Sequence, residues 1–211
     1  MPQPIRTVIF DVGGVLVRTE DPTPRQQLAA ELNLPMNQLY DIVFNQDTWN
    51  LVQLGHITND DHWQAVGRRL KLTWPDQVNA FRTTFFAGDR LDQGMISLIQ
   101  RLRSRFKVAL LSNAPGNLRR WIAEEWNIPP DTFDQIVISA EEGVMKPDPE
   151  IYQRTLTRLD VAPHEAIFVD DFEENVEAAR ALGIQAILFT SPENLIAALN
   201  SRIEVSLEGS K

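Results

Sequence analysis

The residues able to do chemistry gather in four short polar clusters: Asp11-Val12-Gly13-Gly14, Ser112-Asn113, Lys146-Pro147 and Asp170-Asp171. Together they offer three carboxylates, a hydroxyl and an ammonium, a set suited to metal-assisted chemistry on an anion. Asp11 can serve as a nucleophile that forms an aspartyl-phosphate. Taken alone, it serves equally well as a turn residue bonding its own backbone. The Ser112 hydroxyl and the backbone N–H groups after it can bind a phosphoryl oxygen, and the same dipeptide reads as a plain helix N-cap. Lys146 is biased to extended geometry by the proline that follows. A lysine in such a loop can neutralise both nucleophile and transferred group, although a solvated surface lysine is the commoner fate. Asp170 and Asp171 repel each other unless a cation or a helix N-terminus compensates them. Mg²⁺ favours a few hard carboxylate oxygens, with water and substrate phosphate filling the rest. Asn175, one helical turn further on, is spaced to hydrogen-bond back and hold that pair.

Three of these clusters end hydrophobic runs: residues 5–10, 108–111 and 166–169. Short apolar runs that stop at polar residues and alternate with helix-period segments predict a parallel α/β sheet. In such sheets ligands bind outside the carboxyl ends of the strands. The pattern predicts strands over 5–12, 106–111, 133–139, 166–169 and 184–189, with Gly183 as a left-handed helix cap. Residues 21–88 break the rhythm. Thr23-Pro24, Pro35, Thr58 and Pro75 each open a helical stretch, and Asp61 completes a capping box with Thr58. A further short helix carries Trp49, Leu51, Val52 and Leu54. Five helices are too many for one crossover. The expected division is a core of residues 1–17 and 89–211 and an inserted helical cap over 18–88. Residues 208–211 are expected to fray.

At 211 residues with 43% hydrophobic and 23% charged side chains, the composition is that of a soluble globular protein. A formal charge of −9 argues against nucleic acid or an anionic membrane as partner. With no cysteine, thiolate chemistry and Cys-type zinc sites are excluded. No leader segment is legible at the N-terminus, and the apolar stretches are too short to span a bilayer, so a cytoplasmic protein is expected. His56, His62 and His164 lack partners at metal-ligand spacing and read as surface or capping residues. Trp49, Trp63 and Trp74 read as packing within the inserted helices, with Trp49, near Gln46 and Asn50, the one placed to touch a substrate. Trp121 and Trp126 read as structural.

In their order along the chain, the clusters resemble the motifs of the haloacid dehalogenase superfamily of hydrolases. The likeness rests on Phe10-Asp11-Val12-Gly13-Gly14-Val15-Leu16, Leu111-Ser112-Asn113, the run from Met145-Lys146-Pro147 to Tyr152, and Val169-Asp170-Asp171-Phe172-Glu173-Glu174-Asn175. It is strongest to the phosphatase-like branch, which includes sugar-phosphate phosphatases and the N-terminal domains of epoxide hydrolases. The resemblance implies a Rossmann-like parallel core closed by a small helical cap. It implies Asp11 as nucleophile, Ser112 and Asn113 as phosphoryl-binding groups and Lys146 as charge stabiliser. It also implies Mg²⁺ held by Asp11, Asp170, Asp171 and the carbonyl of Gly13. The expected activity is hydrolysis of a small phosphomonoester, a sugar phosphate among the candidates.

Gly13 departs from that pattern. Most phosphatases of the family carry a second Asp there, which protonates the leaving oxygen and then activates water. Glycine does neither, and general acid–base help is worth roughly 10²–10⁴-fold. Haloacid dehalogenases also lack that Asp, so dehalogenation of a 2-haloacid is the rival chemistry, and a weakly catalytic phosphate-binding scaffold is a third reading. Displacing halide needs no metal, and an uncompensated acid pair would repel a haloacid's carboxylate. Asp170-Asp171 therefore favours Mg²⁺ and phosphoryl transfer.

Overall fold

The computed structural model describes residues 4–203. Residues 208–211, expected to fray, lie outside that range. Five strands form one parallel sheet: β1 (Thr7–Phe10), β4 (Lys107–Ser112), β5 (Gln135–Ile138), β6 (Ala166–Asp170) and β7 (Gln185–Leu188). The order across it is β5-β4-β1-β6-β7. β1 lies at the centre, with Phe10 level with Leu110 on one side and Val169 on the other. The chain builds outward to β4 and β5, then crosses back to β6 and β7. The carboxyl ends of β1, β4 and β6 therefore meet at the switch point where such sheets bind ligands.

The strands read as unbroken apolar runs because both faces are covered. Val8, Phe10, Val108 and Leu110 face one core together with α6 (Gln93–Arg103) and α11 (Pro192–Asn200). Ile9, Ala109, Leu111 and Phe168 face the other, with α9 (Pro149–Leu159) and α10 (Glu173–Ala181). Helices open at Thr23-Pro24, Pro35, Thr58 and Pro75, where the sequence signals place them. Pro24, Pro149 and Pro192 occupy first-turn positions, where a missing N–H costs nothing. Gly183, just past α10, has φ +87°.

Five helices form the inserted stretch: α1 (Thr23–Glu31), α2 (Met36–Val43), α3 (Trp49–Gln53), α4 (Asn59–Arg69) and α5 (Pro75–Phe86). The Thr58–Asp61 capping box is formed, with Asp61 N donating to Thr58 Oγ1 and Thr58 N to Asp61 Oδ2. These helices bury their own core of Leu28, Leu39, Val43, Trp63, Val66, Phe81 and Phe85. His62, expected at the surface or at a cap, is instead fully buried there, with Nδ1 2.9 Å from Thr48 Oγ1. An antiparallel pair that no periodicity announced, β2 (Val17–Thr19) and β3 (Asp89–Leu91), closes the neck of this stretch. Arg25 bridges to both Asp89 oxygens at 2.7 and 2.8 Å. The Gly88 carbonyl accepts from Glu20 N and Asp21 N. Only glycine fits at 88, where a Cβ would lie 1.8 Å from the Asp21 carbonyl.

Each expected strand shifts by a residue or two at one or both ends, and two departures change the surroundings of the polar clusters. The strand expected over 133–139 is shorter, and Ser139 starts a helical turn, α8 (Ser139–Glu142). The N-cap reading of Ser112-Asn113 needs a helix directly after it, but the next helical turn is α7 (Leu118–Arg120), which continues as a π-helical turn over Trp121–Glu125. Ser112 is therefore the last residue of β4 rather than an N-cap. Among the described residues, no helix is long and apolar enough to cross a membrane.

Candidate active site

Strand geometry brings the four clusters together. Asp11 follows β1, and its N–H donates to the Val169 carbonyl of β6 at 2.9 Å. Ser112 ends β4 and Asp170 ends β6, both buried. Lys146 enters from the loop between α8 and α9 and is 2% exposed, against the base rate for a lysine. Its ammonium lies 2.9 Å from Asp11 Oδ1 and 2.6 Å from Asp170 Oδ2, and it donates to the Leu111 carbonyl at 3.0 Å. Burial disfavours its charge, yet Asp11 and Asp170 outweigh that and hold its pKa above the ordinary lysine value.

Asp170 is saturated. Oδ1 accepts from Phe172 N at 2.8 Å, Oδ2 accepts from Lys146, and Asn175 Nδ2 stands 3.1 Å from both oxygens. The back-bond expected of Asn175 is thus formed. Asp171 is not saturated: its Oδ1 is buried without a hydrogen-bond partner. Burial first, then the charges of Asp11 and Asp170, push its carboxyl up to about 6. Burial also raises Asp11, with Lys146 opposing. One oxygen from each of Asp11, Asp170 and Asp171 falls within 4.8 Å of the others. Three clustered carboxylates against one ammonium leave negative charge in excess, and Asp171 Oδ1 has no hydrogen-bond partner. A divalent cation fits this donor set.

The two glycines do different work. Gly14 has φ +73°, and a Cβ on it would lie 2.0 Å from Asp171 Oδ2, so only glycine leaves that carboxylate its place. Gly13 is exposed, lacks a left-handed φ, and a Cβ there meets nothing within 4 Å. Backbone geometry does not demand glycine at 13.

Asn113 was expected beside Ser112 as a phosphoryl-binding group. Its side chain is engaged elsewhere: Nδ2 donates to the Lys146 carbonyl and Oδ1 accepts from Lys146 N, both at 2.8 Å. Trp49 is half-buried and packs between Phe44 and His62, with ring centroids 5.3 and 5.1 Å away. Gln53, on the same helix α3, is the residue that sequence reasoning missed. Its Nε2 donates to the Asn113 carbonyl at 2.9 Å. No motif or spacing marks it; only the docking of α3 brings it to β4.

A family model, haloacid dehalogenase-like hydrolase, matches residues 5–183. The chain is 34% identical over 189 residues to the sesquiterpene phosphatase astK of Aspergillus oryzae, covering 88% of this chain and 90% of that one. It is 26% identical over 198 residues to the D-ribitol-5-phosphate phosphatase of Bacteroides thetaiotaomicron, covering 90% and 93%. Several further relatives are much longer, and the chain spans 19% to 36% of their length. A HAD-family enzyme of Bacteroides thetaiotaomicron, solved with magnesium and inorganic phosphate, superposes with a TM-score of 0.72 at 22% identity. That match covers 90% of this chain and 98% of its own. With the four motifs assembled at one edge of a parallel sheet, and this match across most of its length, the chain belongs to the haloacid dehalogenase-like hydrolases.

Proposed function

We propose that this hydrolase is a Mg²⁺-dependent phosphomonoester phosphatase working through an aspartyl-phosphate on Asp11. The observation that carries the reading is the cluster of Asp11, Asp170 and the half-buried Asp171, the first two paired with Lys146, with Asp171 Oδ1 left unpartnered. Asp11, Asp171 and the Gly13 carbonyl would hold the metal, while Asp170, already accepting from Lys146, Asn175 and Phe172, anchors the lysine. Bound there, Mg²⁺ would offset the negative charge that otherwise repels an anionic substrate, and would polarise a phosphoryl oxygen.

This chain's own residues supply the steps. An Asp11 carboxylate oxygen attacks phosphorus as the bond to the substrate's alcohol oxygen breaks. Lys146 holds a positive charge beside Asp11 as charge builds on the phosphoryl group. The Ser112 hydroxyl and the Asn113 backbone N–H bind phosphoryl oxygens, since the Asn113 side chain is already committed to Lys146. Gly13 gives the leaving oxygen no proton, so that proton comes from solvent or from the substrate. Water then attacks phosphorus, releasing phosphate and regenerating the Asp11 carboxylate.

Residues 18–88 act in this reading as the cap that selects the substrate. The two phosphatase relatives differ in the alcohol they release, a sesquiterpene and a sugar alcohol, so the phosphoryl site is the shared element. The deciding experiment is phosphate release across sugar, nucleotide, amino-acid and isoprenoid monophosphates, with Mg²⁺ and with EDTA, and with a 2-haloacid control. Release with Mg²⁺ that EDTA abolishes is expected. Halide release in EDTA without any phosphatase activity would replace the reading with dehalogenation.

A further inference from the structure

A single amide side chain fixes the peptide of Lys146 on both sides. Asn113 accepts from its N–H and donates to its carbonyl, both at 2.8 Å, in the manner of a neighbouring strand. The ammonium of that lysine must stand between Asp11 and Asp170, so where its backbone lies decides whether it arrives. The Asn113 peptide is held in turn from the inserted helices. Gln53 Nε2, on α3, donates to the Asn113 carbonyl at 2.9 Å, and Gln53 is only 9% exposed. The seating of α3 is tight. Gly55, just beyond it, has φ +71°, and a Cβ there would lie 2.3 Å from the Ala140 carbonyl of α8. Ser139, the first residue of α8, accepts from Ala114 N at 3.0 Å, so the segment that receives Gly55 also pins the residue after Asn113.

We propose that Gln53 is a positioning residue: by holding the Asn113 carbonyl, it ties the seating of the inserted helices to the peptide that delivers Lys146. The link runs from Gln53 to Asn113 and on to Lys146 through hydrogen bonds alone, without Gln53 touching the reacting atoms. Its consequence for turnover rests on the phosphatase reading, but the coupling itself does not. With the insertion lifted, the Asn113 carbonyl loses its donor and the clamp on Lys146 loosens. With the insertion seated, the lysine is fixed.

The test uses the full chain and three variants, Gln53→Ala, Gln53→Glu and Asn113→Ala. Gln53→Glu keeps the shape but not the donor, and so separates the hydrogen bond from packing. Amide exchange measured by NMR reads the clamp directly. Protection of the Lys146 N–H should fall by roughly three- to tenfold in both Gln53 variants, the weight of one hydrogen bond, while the amides of β1 keep theirs. Unchanged Lys146 protection in both would overturn the proposal, whatever the activity.

Kinetics with p-nitrophenyl phosphate and Mg²⁺ form the second arm. Both Gln53 variants should lose kcat by a similar factor with KM held. Gln53→Ala should cost little more in the Asn113→Ala background, since both act on one link. A raised KM with unchanged kcat, or losses that multiply fully in the double variant, would make Gln53 a substrate contact and sink the positioning role. If the wild type releases no phosphate, the phosphatase reading fails, and the exchange arm still decides the coupling.

Discussion

Asp11 is 7% exposed and lies beside Lys146, so its charged form survives burial only with a cation at hand. Asp11→Asn keeps the shape and removes the attacking charge. Turnover of any phosphomonoester should fall to background with an unchanged circular dichroism spectrum. A variant that retains more than about a tenth of the rate, under ~1.4 kcal/mol of barrier, would rule Asp11 out as nucleophile. The other decisive residue is Gly13. Without an acid there, the rate of the first chemical step should depend steeply on the leaving group's pKa, with aryl phosphates far ahead of alkyl ones. Since a Cβ at 13 meets nothing within 4 Å and φ is not left-handed, Gly13→Asp is sterically admissible. It should flatten that dependence, with a gain on poor leaving groups of at most roughly 10²–10⁴-fold. Single-turnover rates over a graded aryl phosphate series measure both slopes. A flat series in the wild type would show that another group already supplies the proton.

At the scale of elements, the inserted helices are held by aromatic packing around polar groups that must stay neutral or paired. Arg25 stacks over Phe85 at 4.5 Å while bridging to Asp89 at the neck. Arg82 of α5 lies over Trp63 of α4 and also over Trp121 of the π-helical turn, 5.6 and 5.9 Å from the two rings. His62 is the pH-sensitive member. Burial lowers its imidazole from 6.5 to about 4. Between those values the unfolded chain takes up a proton that the folded chain refuses, so stability falls as pH drops through the window. Above about 6.5 the contribution is complete, and below about 4 this group removes no more. Urea midpoints at pH 7.5 and 4.5 should therefore fall further in the wild type than in His62→Gln. Equal falls would remove His62 as the cause.

Across the whole molecule, the metal is the expected link between fold and activity. Asp11 and Asp171 extend from β1 and β6, adjacent strands separated in sequence by the insertion and by β4 and β5. A cation held by both stabilises only the assembled sheet edge. At Mg²⁺ near 100 times its Kd, linkage adds about 2.7 kcal/mol. For a chain of this size that corresponds to a melting temperature higher by roughly 5–10 °C. EDTA should reverse the shift, and Asp171→Asn should reduce it. Identical melting curves with and without Mg²⁺ would leave the acid cluster without its proposed ligand.

Much of this was legible in the residues alone. Apolar runs ending in Asp11, Ser112 and Asp170 are dictated by a parallel sheet buried on both faces, whose carboxyl edge is the first place polar residues can surface. Proline and Thr58 signals located the helices because a helix start is a local hydrogen-bonding problem, solved by residues near it in sequence. What lies between distant segments was not legible. That Asp170 is saturated by Lys146 and Asn175 while Asp171 keeps an orphaned oxygen depends on where three strand ends and a loop meet. Two adjacent acids look alike until then. The same holds for Gly14, whose hydrogen in place of a Cβ makes room for Asp171, and for Gly13, which has no such constraint. The β2–β3 neck is too short for any periodicity. Gln53 has no signature at all, since a glutamine gains its role only when one helix is laid against the end of a strand 60 residues away. Local chemistry chose the elements, and packing chose which atoms of the charged residues remain unpaired.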